Sequence, residues 1–405
     1  MSKKTMRILT LAWAGILIAV LSSTVTLIVA GRTGSSRWVT QAQYDTIGRY
    51  ARLEEVRSKL VSDYYRELDE DALLLGAVRG MTSSVNDPFT FYYTPEEMQR
   101  SNENEQGTYF GIGILINQAE DGSIEVLRVY PDTPAEAAGL QVGDRITAVD
   151  GVSITRDMGG SYSEAIAKLR SEDDGTVLLT LHRGQEILNA SVVRGTVSIS
   201  YADWQLMDGD IGYISVTQFT GDAATRFSDA LVEFKSMGAK GMVIDLRNNP
   251  GGLLKQVVAM ADLILPKGTI VYIQDRSGAR EDFYSDADCY DIPLVVLVNG
   301  NSASASEILA ASVQSFGRGT VLGTTTYGKG IVQTLITFPS DGAGMQLTTA
   351  TYYDGSGRSI HSTGVTPDVV LEFDGDRIPV YPDPAHDNQL AEAIRILRDK
   401  AVEQG

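Results

Sequence analysis

Between Ile8 and Ala30 the chain runs for 23 residues without a charged side chain, directly after Lys3, Lys4 and Arg7. A helix rises about 1.5 Å per residue, so such a run can span a hydrocarbon core of about 30 Å. A basic flank stays on the cytoplasmic side, which places the rest of the chain outside. A cleaved signal peptide is the other use of such a segment, but its apolar part is shorter and ends in a small-x-small site. Here Ile28 occupies the minus-three place before Ala30, which favours a retained anchor. The expectation is a single-pass protein of a bacterial-type cell membrane, with residues 1–7 as a cytoplasmic tip, 8–30 as the anchor and the working part extracytoplasmic, or secreted if the segment is cut.

The full chain of 405 residues implies two or three domains of about 150 residues each. Its 34 basic and 52 acidic side chains leave a formal charge of −18, which argues against a phosphate-tracking surface, so no nucleic-acid partner is expected. The lone Cys289 permits neither an internal disulfide nor a thiolate zinc cluster. No metal and no cofactor are expected.

Past a polar link, Leu53, Val56, Leu60 and Tyr64 recur at helical spacing between Gln41 and Leu68. That stripe suits a docking or homodimer helix, or packing on the body. Thr94-Pro95-Glu96-Glu97 reads as a capped helix start, and the polar run Ser101 to Gln106 as a boundary closing an N-terminal helical region, 38–106. From 107 to 196 short strands dominate. Phe110-Gly111-Ile112-Gly113 opens them, Pro134 to Leu140 forms a helix, and Val142-Gly143-Asp144-Arg145-Ile146 follows. This segment resembles a PDZ domain. The resemblance implies that backbone N–H groups of the Phe110, Gly111, Ile112, Gly113 loop receive a terminal carboxylate while the next strand edge takes up an extended peptide.

From Ile211 strands and helices alternate: Ile211 to Phe219, a helix near Asp222 to Met237, Gly241 to Leu246, a helix from Leu253 to Leu265, Pro293 to Val298, and a helix from Ser304 to Phe316. The strands Thr320 to Gly323, Ile331 to Phe338 and Met345 to Tyr353 follow, then a helix from Asn388 to Val402. Alternation of this kind predicts an α/β core with a mixed sheet and crossover helices over 197–380, closed by a C-terminal helix in 381–405.

Three stretches can carry chemistry. Asn301-Ser302-Ala303-Ser304-Ala305-Ser306-Glu307 lies between a strand and a helix start, where a hydroxyl meets free N–H groups and the positive helix end. Ser304 with Glu307 also reads as a plain capping box. Gly323-Thr324-Thr325-Thr326-Tyr327-Gly328-Lys329-Gly330 approaches a phosphate loop but puts Gly330 where a hydroxyl is needed, and a strand rather than a helix follows, which argues against nucleotide binding. Asp245 to Gly252 ends in a glycine turn after a strand, open to a ligand or simply starting a helix. With only three histidines, none well placed, and no Gly-x-Ser-x-Gly elbow, a histidine base lacks support. A desolvated Lys329 is the remaining base, and Gln333, four residues on, shares its face.

Together, Ser302 to Glu307, Tyr327 to Gln333 and Asp245 to Gly252 resemble the C-terminal processing peptidases, as do Asp87-Pro88, Gly364 to Val369 and Asp387-Asn388-Gln389-Leu390. These are serine endopeptidases with a Ser-Lys dyad and an inserted PDZ domain. The resemblance implies Ser304 as nucleophile, Lys329 as general base and Gln333 as its orienting amide. It implies Ala305 and Gly251 as backbone oxyanion donors, with the choice between Gly251 and Gly252 open. Arg170, after the helix Tyr162 to Leu169, is a candidate gating contact. The expected partners are protein or peptide substrates with accessible C-termini; the alternative is a catalytically inactive membrane-tethered PDZ adaptor.

Overall fold

The computed structural model describes residues 3–32, 40–119, 121–155, 161–171, 175–207, 210–375, 378–379 and 381–404. Two compact units result, Met1–Met81 and Thr82–Gly405. The first holds α1 (Lys3–Arg32), α2 (Gln41–Asp63) and most of α3 (Glu70–Ser83). Within α1, Lys4–Thr26 is long and apolar enough to cross a membrane, a test that a signal sequence also passes. The helix expected to reach Leu68 stops at Asp63 because a second one begins: the Asp69 carboxylate caps α3 by accepting the N–H groups of Asp71 (2.9 Å) and Ala72 (3.2 Å). Leu53, Val56, Leu60 and Tyr64 are all exposed.

The second unit opens with β1 (Phe91–Tyr93) and α4 (Pro95–Gln106). Thr94 and Glu97 form a reciprocal capping box, at 2.9 Å and 3.3 Å. The helix runs through Ser101 to Gln106. That run is polar because it belongs to an exposed helix, in which Gln99 and Glu103 pair one turn apart at 3.0 Å.

Next come β2 (Thr108–Gly111), β3 (Ile114–Gln118), β4 (Ile124–Val129), α5 (Pro134–Ala137), β5 (Arg145–Val149), β6 (Val152–Ser153), α6 (Tyr162–Leu169), β7 (Thr176–Arg183), β8 (Glu186–Val193) and β9 (Gly195–Ser198). One sheet has the order β3-β4-β5-β7-β8, with β6 on β5, and a separate β2-β9 ribbon brings the chain in and out. Val177, Leu179 and Leu181 of β7 point into a core shared with Ile124, Val126, Ile146 and α6, the period of two expected of a half-buried strand.

The remaining elements are β10 (Ala202–Met207), β11 (Ile211–Val216), α7 (Ala223–Met237), β12 (Gly241–Asp245), α8 (Leu254–Asp262), β13 (Gly268–Asp275), β14 (Arg280–Ser285), β15 (Leu294–Val298), α9 (Ala305–Ser315), β16 (Thr320–Gly323), β17 (Ile331–Thr337), β18 (Gly344–Asp354), β19 (Val369–Val370) and α10 (Asn388–Gln404). The central sheet has the order β10-β11-β12-β15-β16-β19, antiparallel only between β10 and β11. Both faces are covered. Met242, Ile244, Leu294 and Val296 pack with α7, α8 and α9, while the alternating Val243, Val295 and Leu297 pack with Leu390, Ile394 and Leu397 of α10. That double burial explains the unbroken apolar runs of β12 and β15. A second sheet joins β1, β18, β13 and β14, with β17 also on β18. The β13-β14 hairpin has no counterpart in the sequence-based expectation.

Candidate active site

The loop after β15 leads into α9 at one end of the central sheet, and the three serines of this junction take different roles. Ser302 donates its hydroxyl to the Leu246 carbonyl at 2.8 Å, and Ser306 donates to the Asn249 carbonyl at 2.9 Å. Both are fully buried. Ser304 is half-buried and lines a cavity of about 340 Å³. Its backbone stands at φ 55, ψ −113. An ordinary N-cap residue is extended. A non-glycine side chain in Ser304's conformation is strained, and such strain gathers at functional sites.

The same cavity is lined by Lys329, Gln333, Ala305 and Gly252. Lys329 follows Gly328, and Gly330 lies so close to His361 that a Cβ would come within 2.5 Å of its backbone nitrogen. The glycine at 330 is therefore a packing need, and Ile331 starts a strand. The Lys329 amine lies 4.3 Å from the centre of the Phe89 ring. Burial pushes it below the usual lysine range, and the negative charges of Asp87 and Glu307 only partly offset this. The Gln333 amide nitrogen donates to Thr348 Oγ1 at 3.3 Å. Among the described residues, hydrogen bonds join Lys329 neither to Ser304 nor to Gln333 through their side chains.

In the glycine turn, Gly251 packs against the Ser304 loop: a Cβ there would lie 2.8 Å from Ser304 Cβ. Its N–H is taken, however, by Asn249 Oδ1 at 2.9 Å. The expectation of Gly251 as an oxyanion donor meets that obstacle, and Gly252 is the member of the pair that faces the cavity.

An apolar groove is assembled separately. Ile112, Ile114 and Ile116 face Tyr162, Ile166 and Leu169 of α6 across about 240 Å³, with Tyr109 and Arg170 at its margin. Phe110 and Gly111 are not a free loop, since they pair with Thr196 and Gly195 of β9. The turn proper is Ile112-Gly113, where Gly113 at φ 88 sits too close to Thr133 for any Cβ. Arg170 ends α6 and lays its guanidinium 5.0 Å over the Tyr109 ring, lining the groove and not the cavity that holds Ser304.

Comparison with known proteins agrees with both halves. Residues 210–371 match peptidase family S41, 125–183 match the PDZ domain, and 29–97 match the activating protease CtpB N-terminal domain. The carboxy-terminal processing protease CtpA of Bacillus subtilis is 33% identical over 362 residues, covering 88% of this chain and 76% of the relative. This chain belongs to peptidase family S41. It is a carboxyl-terminal processing serine protease with a PDZ domain, acting on protein substrates. The carboxyl-terminal-processing protease of Synechocystis is 37% identical over 346 residues, 84% of this chain and 79% of that one. A putative S41 protease from Bacteroides fragilis shares the fold, with a TM-score of 0.54 at 18% identity over 83% of this chain and 91% of that one.

Two buried groups in this S41 peptidase escaped the sequence reading. Glu307 accepts four hydrogen bonds: from Ser304 N–H (2.8 Å), Thr326 Oγ1 (2.5 Å), Gly328 N–H (2.7 Å) and Lys329 N–H (2.8 Å). One carboxylate thus ties the serine and lysine backbones together. Tyr352 adds a second tie, donating to the Ser304 carbonyl at 3.0 Å and contacting that of Lys329. Behind them Arg247 bridges Asp245 (2.6 Å) and Asp387 (2.7 Å), linking the glycine-turn strand to the start of α10. The only sequence signals were the capping pattern at 304–307 and the Asp387 motif.

Proposed function

We propose that this peptidase is membrane-tethered through residues 8–30, works outside the cytoplasm, and cleaves with a Ser304–Lys329 dyad. The observation that carries the reading is the division among three serines: two spend their hydroxyls on buried carbonyls, and the third, on strained backbone, shares a cavity with a desolvated lysine. Ser304 Oγ attacks the scissile carbonyl carbon while its proton passes to the neutral Lys329 amine. The tetrahedral oxyanion is met by the N–H groups of Ala305 and Gly252, the latter replacing Gly251 in this assignment. The C–N bond then breaks, Lys329 returns the proton to the departing amine, and water attacks the acyl-enzyme by the same route. Gln333 orients the lysine once it turns toward the serine.

The PDZ groove takes the substrate's C-terminus, so binding energy gathered there positions a flexible chain at the dyad. Arg170 reports occupancy of that groove. The exposed stripe of α2 serves a homodimer. Full-length enzyme in detergent, assayed on an unstructured protein, tests the catalytic assignment. Ser304→Ala and Lys329→Ala are each expected to abolish cleavage with folding intact, and retained activity in either removes that residue from the dyad. Peptide binding without any cleavage by the unmutated protein would return the adaptor reading.

A further inference from the structure

The Asp87-Pro88 motif has no part in the chemistry above, yet it leads directly to the lysine. We propose that Phe89 is a positioning residue for the base: its ring face holds the Lys329 amine and stabilises the ammonium that forms when Ser304 gives up its proton. The inference rests on Lys329 being the general base.

The turn that presents the ring is built for rigidity. Asp87 Oδ1 accepts the Phe89 N–H at 3.0 Å, and Asp87 Oδ2 accepts the Thr90 hydroxyl at 2.6 Å. Thr90, buried, in turn accepts the Thr348 N–H at 3.1 Å, and the Gln346 amide donates to the Phe89 carbonyl at 3.1 Å. Both anchors lie on β18, whose neighbour β17 carries Gln333. The ring is thereby fixed with the Lys329 amine 4.3 Å from its centre.

An aromatic face suits a base that must alternate between two protonation states. It attracts the cation through its quadrupole. Unlike a carboxylate in direct contact, it takes no hydrogen bond from the amine, so the neutral lysine can turn toward the serine at no cost in bonds. The groups facing Lys329 have other engagements. Asp87 spends both oxygens on its own turn, Glu307 holds the Lys329 backbone N–H, and Tyr352 contacts the Lys329 carbonyl. Glu105 lines the same cavity from α4. The charges of Asp87 and Glu307 favour the ammonium from a distance, while among the described residues it is the Phe89 ring that the amine itself meets.

The test is the pH profile of kcat/KM for full-length enzyme on a fluorogenic peptide. Phe89→Leu keeps apolar cover but loses the quadrupole. Its acid limb is expected to move to lower pH while the alkaline plateau falls about two- to tenfold, and Phe89→Tyr is expected to restore both. Trifluorophenylalanine at 89 keeps the ring's shape while draining its face, and should shift the limb the same way even if the leucine variant folds poorly. An unmoved limb in the fluorinated enzyme, or a leucine variant that loses only plateau rate, overturns the proposal. Activity surviving in Lys329→Ala would instead overturn the base assignment beneath it.

Discussion

The cavity around Ser304 and the groove of the PDZ domain are built on opposite plans. Around Ser304 and Lys329 the fold spends buried polar groups freely: Glu307 with four donors, Asn249 accepting Gly251, Tyr352 on two carbonyls, and a serine held at φ 55. The groove between β3 and α6 is lined by four isoleucines and a leucine, together with two tyrosines and one arginine. The first plan fixes atoms in place, which transition-state stabilisation requires. The second collects apolar area without demanding one geometry, which suits capture of varied chain ends. Processing a C-terminus needs both, placed in different parts of the molecule.

The sharpest way to break this contrast is to remove charge from the catalytic side. Lys329→Ala is expected to lower kcat on any substrate by about 10³-fold or more, since general-base assistance alone is worth about 10²–10⁴. Glu307→Gln should come next. An amide has one accepting oxygen for four donors, so stability should fall by about 2–4 kcal/mol in chemical denaturation, with kcat falling more than KM rises. If that variant kept full rate and stability, preorganisation by Glu307 would not be what distinguishes the cavity.

A change in the groove should behave differently. Ile166→Asp is expected to lower kcat/KM about 10- to 100-fold on a long substrate with an apolar free C-terminus. A short peptide too small to reach the groove should be cleaved at its usual rate. Equal losses on both substrates would merge the two sites into one. The pH dependence sharpens the same point. The base must be neutral, and burial holds the Lys329 amine below the usual lysine range, so kcat/KM rises with pH and levels off below the pH at which an exposed lysine would titrate. Ile166→Asp should leave that limb in place. Arg170→Ala, which removes one cation–π contact with Tyr109, should change KM for long substrates only about two- to fivefold.

The sequence made local order readable. Alternating strands and helices after Ile211, the capped start at Thr94 and the helix Tyr162 to Leu169 all depend on neighbours a few residues away, and the structure has each of them. Ser304, Lys329 and Gln333 could be named from motif spacing and family resemblance, and they line one cavity. What stayed hidden is long-range. Arg247 meets Asp387 across 140 residues, and no periodicity reports such a contact. Glu307 looked like an ordinary capping residue because three of its donors, at Thr326, Gly328 and Lys329, are distant in sequence. The engagement of the Gly251 N–H turns on one bond to Asn249, invisible until the turn is folded. Composition alone cannot separate a solvated helix face from a link at Ser101 to Gln106, which the structure has as helix.

The central claim is that Ser304, and neither of its buried neighbours, is the nucleophile. Labelling the full-length enzyme with a fluorophosphonate and mapping the adduct by mass spectrometry tests it most directly. The account predicts one phosphonylated serine, Ser304, with labelling lost in Ser304→Ala and retained in Ser302→Ala and Ser306→Ala variants that remain folded. An adduct on Ser302 or Ser306, or undiminished labelling in Ser304→Ala, would contradict it.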